Sequence, residues 1–241
     1  MITSETHGAV AVLTVDRHER RNALDLEHAA GLRSALADAV DGGARAVVVT
    51  GAGSAFCSGA DLDAVYSDEF RAALGALLRA LAAAPVPIVA AVNGPAIGAG
   101  TQIAIACDLR VVAPTARFGV PTARNGLAVD PWTVARLVDV AGGGVARALL
   151  LGVDTVAAER ALATGLADRA GPFEDALAWA VELSGLAPLS LRYSKLALNA
   201  AVTGAAPHEV DAAFAACWAS DDVAEFRAAR ADGRPPRYTG R

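Results

Sequence analysis

A chain of 241 residues, 54% of them apolar, is long enough for one large domain, or one domain with a small appendage, built on a sizeable core. Its net charge of −5 excludes a nucleic-acid footprint over the whole surface. The longest apolar stretch, around Pro85 to Val92, is too short to span a bilayer. Met1 to His7 is polar and lacks the apolar run of a secretory signal. Cys57, Cys107 and Cys217 are odd in number, widely spaced and without a CxxC pair, so they read as free thiols of a reducing cytoplasm. The four histidines form no HxxxH or HExxH pattern, so no metal site is expected. A single lysine, Lys195, stands beside twenty arginines, which reads as a GC-rich bacterial coding bias.

The elements are taken in chain order. Ala9 to Val15 is a run of small and β-branched residues and predicts the first strand. A charged stretch, Asp16 to Arg21, follows. Leu26 to Val40 carries apolar residues at helical spacing and ends at Gly42-Gly43. Ala46 to Thr50 predicts a buried strand, and Gly51 to Gly59 a glycine-rich loop. Ala60 to Ala84 reads as helical with an interruption near Ser67, and Pro85 and Pro87 stop it. Ile88 to Val92 is a second buried strand, Asn93-Gly94-Pro95 a turn, Gly98 to Cys107 a helix apolar on nearly every side, and Leu109 to Ala113 a third buried strand. From Pro131 the pattern is mostly helical, broken at Gly142 to Gly144, Gly152, Gly165, Gly171-Pro172, Gly185 and Gly204. Arg234 to Arg241 reads as a basic, proline-containing tail. Strands alternating with helices predict an α/β core with parallel pairing.

Two glycine-rich loops, each between a strand and a helix, carry the chemistry. Gly51-Ala52-Gly53 opens like a dinucleotide fingerprint, which would make the chain an NAD-binding oxidoreductase. Phe56 stands where its third glycine belongs, and no acid follows at the end of a second strand about 20 residues on. In the second loop, small residues at Gly98 to Gly100 admit close approach to the backbone. The helix after them points its free N–H groups at the same place. Such a place suits a carbonyl oxygen that gains negative charge. Tight helix packing accounts for the second loop equally well when it is taken alone.

Together, Ser58-Gly59-Ala60-Asp61-Leu62 and Pro87-Ile88-Val89-Ala90-Ala91-Val92-Asn93-Gly94-Pro95-Ala96-Ile97-Gly98-Ala99-Gly100 resemble the two signature segments of the crotonase (enoyl-CoA hydratase/isomerase) superfamily. Cys107-Asp108-Leu109-Arg110, Phe118-Gly119, Glu19-Arg20-Arg21-Asn22-Ala23-Leu24 and Arg234-Pro235-Pro236-Arg237-Tyr238-Thr239-Gly240 extend the match over essentially the whole chain. The resemblance implies a spiral of β-β-α turns with a C-terminal helical region, divided here as a core over 1–190 and a trimerisation or lid region over 191–241. It also implies a homotrimer or homohexamer and a cytoplasmic place in fatty-acid metabolism. It implies an acyl-CoA thioester as ligand, with coenzyme A entering only as part of the substrate and no other cofactor.

By position, the resemblance makes the backbone N–H groups of Ala60 and Ala99 the donors to the thioester oxygen. It puts coenzyme A contacts at Arg20, Arg21 and Ala23 and near Asp61 and Leu62. Arg234 and Arg237 are either further phosphate contacts or solvated surface. The glutamate pair of the family's hydratases falls at Gln102 and Thr122, neither of which is a general acid or base near neutral pH. In this the chain is similar to actinobacterial members that lack the pair. Asp130, twelve residues after Phe118, is at the spacing of a catalytic aspartate in some isomerising and dehalogenating members. It also reads as an N-cap, since Pro131 follows it. Trp132, Phe56 and Leu127 are either acyl-pocket wall or core, and Ser58 has no His-Asp partner pattern that would make it a nucleophile. Two functions follow from the resemblance: an enzyme acting on unsaturated acyl-CoA, or an acyl-CoA carrier that has kept the pocket without the chemistry.

Overall fold

A large hydrophobic core and a smaller cluster, one on each face of a single sheet, organise the molecule. The computed structural model of the chain describes residues 1–61 and 65–241, and for 201–203 the backbone alone. The sheet is six-stranded, in the order β1 (Ile2–His7), β2 (Val10–Val15), β3 (Ala46–Gly51), β4 (Ile88–Val92), β6 (Leu109–Val112) and β9 (Arg169–Ala170). The β1–β2 pair is antiparallel and every later pair is parallel, as the alternation of strands and helices predicts. Successive side chains of a strand face opposite ways. Ala11, Leu13, Val47, Val49, Ile88 and Ala90 accordingly enter the main core, while Val10, Val12, Val48, Val89 and Ala91 enter the second cluster. α6 (Phe173–Ser184) covers that second cluster with Ala176 and Ala180. Burial on both faces is why β3 and β4 are continuous apolar runs in the sequence.

A second sheet of three short strands, β5 (Pro95–Ile97), β7 (Arg117–Gly119) and β8 (Thr155–Ala157), stands beside the first. The chain steps from a long strand to a short one and then to a helix. It does so as β4, β5 and α3 (Ala99–Ala106), then as β6, β7 and α4 (Pro131–Leu150). The turn before them has the same plan in reduced form: β3 leads to an isolated bridge, Cys57 to Ala96, and later to α2 (Asp68–Ala83). This is the β-β-α spiral that the signature segments imply. α1 (Leu26–Asp41) packs on α2 inside it, and α5 (Ala158–Thr164) follows β8. α7 (Pro188–Thr203), α8 (Pro207–Ala219) and α9 (Asp221–Asp232) form the C-terminal helical region. The expected division at residue 190 falls inside α7.

Four details refine the sequence expectations. The interruption expected near Ser67 is where α2 begins: the Ser67 side chain accepts from the Phe70 N–H at 3.0 Å and caps it. Ala60 lies in an isolated bridge, the Val65 N–H donates to Asp61 O at 2.9 Å, and 62–64 lie outside the described residues. β1 was not expected, because Ile2 to His7 is half exposed at the sheet edge and alternation is weak there. The Gly142 to Gly144 break is present as a kink, with Gly142 at φ 77° between two helical stretches of α4. The basic tail is held: Arg45 donates to Tyr238 O at 2.9 Å and to Leu186 O at 2.7 Å, and Asp222 accepts from the Thr239 N–H.

Candidate active site

The two glycine-rich loops meet edge to edge. The Cys57 N–H donates to Pro95 O at 3.1 Å, and the Ile97 N–H donates back to Cys57 O at 2.9 Å. A Cβ at Gly100 would lie 2.2 Å from Cys57 O, so only glycine lets the start of α3 ride this close on the first loop. The first loop is held from its other side by the segment after β2. Asn22 is fully buried at φ 59°, and its amide donates to Ala52 O and Ala55 O at 2.9 and 2.7 Å. Leu24 bridges to Ala60 in the parallel sense: the Leu24 N–H donates to Gly59 O at 2.8 Å and the Asp61 N–H to Leu24 O at 2.7 Å. In such a bridge the residue opposite turns its own N–H away. The Ala60 N–H therefore faces the second loop's side.

Across from it, Gly98 at φ 54° and ψ −114° turns the chain into α3, whose first residue is Ala99. The first N–H groups of a helix have no partner within it and sit at the positive end of its dipole. Ala60 and Ala99 both line one cavity of about 340 Å³. Its other walls are Phe70, Leu74 and Leu78 of α2, Gln102 of α3, and Thr122, Leu127 and Asp130 of the segment before α4. A separate cavity of about 380 Å³ lies between α7 and α8, lined by residues such as Leu189 and Tyr193, and includes neither loop.

Gln102 and Asp130, 28 residues apart, meet in the first cavity. Asp130 caps α4: one carboxylate oxygen accepts from the Thr133 N–H at 3.1 Å. The other accepts from the Thr133 hydroxyl at 2.6 Å and the Gln102 amide at 3.3 Å. Gln102 also donates to Thr133 Oγ1 at 2.8 Å. The capping expectation for Asp130 is met, and its carboxylate also faces the cavity. Thr122 sits in a 3-10 turn over Pro121–Asn125, whose backbone it helps to close by accepting from the Leu127 N–H at 2.9 Å. Thr133 was missed by sequence reasoning, although three residues after a capping aspartate is where a second partner is expected.

The remaining expected residues divide. Asp61 is tied to Arg17, Nη1 to Oδ2 at 3.0 Å, a structural attachment to the loop after β2. Leu62 lies outside the described residues. Arg20, Arg21 and Ala23 are at the surface on the far side of the first loop, where Ser58 N–H donates to Arg21 O at 3.0 Å and Ser58 Oγ to Arg20 O at 3.2 Å. Trp132 is not among the cavity-lining residues; it is half-buried and packs against the main core. Phe56 is likewise core, whereas Leu127 lines the cavity. Arg234 forms an ion pair with Glu225 of α9 at 2.6 Å instead of standing free. Burial pushes the Cys57 thiol, at the foot of the first loop, up to about 12, which rules out a thiolate nucleophile there near neutral pH.

Residues 5–240 match the model of the family described as enoyl-CoA hydratase/isomerase. The chain is 47% identical over 237 residues to a Mycobacterium tuberculosis protein named "Probable enoyl-CoA hydratase echA6", covering 96% of this chain and 97% of that one. Its Mycobacterium leprae namesake is 44% identical over 241 residues, with coverage of 96% and 97%. Among solved structures, an enoyl-CoA hydratase/carnithine racemase from Magnetospirillum magneticum superposes with a TM-score of 0.89 at 28% identity, covering 100% of this chain and 96% of that one. An enoyl-CoA hydratase from Mycobacterium tuberculosis superposes with a TM-score of 0.86 at 28% identity, covering 100% and 99%. With the spiral, the two facing loops and a match running through nearly every residue, the chain belongs to the enoyl-CoA hydratase/isomerase family of the crotonase superfamily.

Proposed function

We propose that the chain binds an acyl-CoA thioester with its carbonyl oxygen between the Ala60 and Ala99 N–H groups, and that these donors stabilise the thioester enolate. The observation that carries this reading is the convergence of one N–H turned out of the Leu24–Ala60 bridge and one at the start of α3 on a single cavity. A donor preorganised at a developing oxyanion is worth about 3 kcal/mol in the transition state. Backbone donors need no particular side chain, so alanine at both positions is compatible. Coenzyme A would run over Arg20, Arg21 and Ala23, which border the first loop from outside, past Asp61 and Leu62. The reading requires no metal or further cofactor. It carries with it a homotrimeric or homohexameric, cytoplasmic protein of fatty-acid metabolism.

Hydration of the double bond needs an activated water and a proton for carbon. Gln102 and Thr122 supply neither, and Gln102 already donates to Thr133 and Asp130. Asp130 is the one carboxylate among the described cavity-lining residues, so moving a proton between carbons is the reaction open to an enzyme here. One observation favours the second reading, an acyl-CoA carrier without turnover. The Asp130 carboxylate accepts three hydrogen bonds at a helix N-terminus, so both of its oxygens are committed to the cap and to Gln102.

The test mixes purified protein with short and long 2-enoyl-CoA substrates and follows the conjugated thioester band, with binding measured in parallel. Saturable binding without loss of the band is the expected result. Rapid loss of the band would show a hydratase and overturn the assignment of Gln102 and Thr122. No binding of any thioester would sink the acyl-CoA reading.

A further inference from the structure

The α2 wall of the cavity carries charged groups that the chemistry above leaves unused. Arg71, Gly75 and Arg79 are four residues apart and so form one row along α2, next to the apolar row Phe70, Leu74 and Leu78. All six residues line the cavity. The apolar row is largely buried, with Phe70 at 1% and Leu78 at 2% exposure, while both arginines are exposed. Gly75 gives the Arg79 side chain its path: a Cβ there would meet Arg79 Nη1 at 3.3 Å, so the guanidinium lies across the glycine along the wall.

Among the described residues these charges are poorly matched by protein groups. The described acidic partner of Arg71 is Asp68, one turn back on the same helix and 84% exposed, a surface pair of little energetic weight. Asp130 is already engaged by Thr133 and Gln102. Two guanidinium groups thus stand beside an apolar track, and the one carboxylate among the described cavity-lining residues, Asp130, is engaged elsewhere. An acyl chain ending in a methyl group would draw water away from these charges and return nothing. A chain ending in a carboxylate would meet a planar fork suited to it.

We infer that the cavity selects acyl thioesters whose chain carries a second, terminal carboxylate, with the methylenes along Phe70, Leu74 and Leu78 and the far carboxylate received by Arg71 and Arg79. This rests on the acyl-CoA reading and names the substrate class within it.

The test is calorimetric titration of the whole protein with thioesters matched in carbon count: glutaryl-CoA against pentanoyl-CoA, adipoyl-CoA against hexanoyl-CoA, and suberoyl-CoA against octanoyl-CoA, with free coenzyme A alongside. At the best length the diacid should bind roughly tenfold more tightly than its match, the scale of one charge-assisted hydrogen bond. Arg79→Gln should bring that ratio to about one, while Arg147→Gln, an equal charge change on α4 away from the cavity, should leave it in place. Equal or weaker diacid binding at every length, with the monoacids still bound, overturns the inference and spares the acyl-CoA reading. An Arg79→Gln loss as large for free coenzyme A as for the diacids also overturns it, by giving the row to the coenzyme's phosphates. Failure of all six thioesters to bind overturns both.

Discussion

Arg17 and Asp61 form an ion pair, Nη1 to Oδ2 at 3.0 Å, that fastens the exit of β2 to the residue just after Ala60. The same guanidinium reaches Asp25 at 3.2 Å and donates to Ala23 O at 3.1 Å. Arg17→Met should therefore lower stability by about 1–3 kcal/mol, the cost of leaving charged partners short of a hydrogen bond. It should also weaken acyl-CoA binding, because the Ala60 N–H would lose its fixed direction. Denaturant unfolding and ligand titration on the same variant check both parts; unchanged affinity would mean that the Leu24–Ala60 bridge holds the loop alone.

Asp130 can be tested without confusing its two duties. Asparagine caps a helix about as well as aspartate, whereas alanine loses about 0.5–2 kcal/mol. Asp130→Asn should keep the thermal midpoint near that of the parent, and Asp130→Ala should lower it. If the carboxylate moves protons, both variants lose any double-bond isomerisation of 3-enoyl-CoA seen in the parent. Turnover surviving in Asp130→Asn would remove Asp130 from the mechanism.

Lys195 ties α7 to the core. Its Nζ lies 2.8 Å from Asp108 Oδ2 and donates to Leu81 O and Val86 O. Burial pushes the Asp108 carboxyl up, with Lys195 opposing the shift. Lys195→Met should cost about 3–5 kcal/mol by stranding that carboxylate. The double variant with Asp108→Asn should cost less than the sum of the single ones, as measured by a double-mutant cycle in chemical denaturation.

Acid should release the tail before it unfolds the core. Arg234, and then the Arg237 N–H, hold the Glu225 carboxyl down at about 2, against its ordinary 4.5. A lowered folded value means that the contribution is complete above about 4.5 and is lost as pH falls through about 2. Exchange protection of the Arg237 amide, followed by NMR from pH 5 downward, should fall in that window. Protection unchanged to pH 2 would show that Glu225 does not hold the tail.

Thiol chemistry should be graded by depth. Cys57 and Cys107 are buried, and burial pushes both up to about 12, so neither reacts in the native state. Cys217 is only partly buried. A thiol reagent should label one cysteine quickly and all three after unfolding; fast native labelling of Cys57 would mean that the first loop opens.

The long buried strands and α3 were legible because burial on both faces leaves continuous apolar runs, and the glycine signatures placed both loops. The cap at Asp130 was legible from Asp130-Pro131. Other features were not. β5, β7, β8 and β9 are two or three residues long and owe their pairing to partners far along the chain, so no local pattern announces them. The meeting of Gln102 with Asp130 and Thr133 depends on α3 and α4 packing side by side, which no periodicity states.

The buried place of Lys195 has a chemical consequence for a chain proposed to hold thioesters. Acyl thioesters modify amines spontaneously, and a surface lysine near such a ligand invites self-acylation. Here the sole lysine side chain is 8% exposed and paired with Asp108. The Met1 ammonium is itself bonded to Asp16 O and to His28. Arginine, which supplies the remaining basic charge, is far less nucleophilic at neutral pH. The protein can therefore carry its basic charge while offering almost no lysine amine to stray acyl groups, so it would resist a form of chemical ageing that a lysine-rich relative would accumulate.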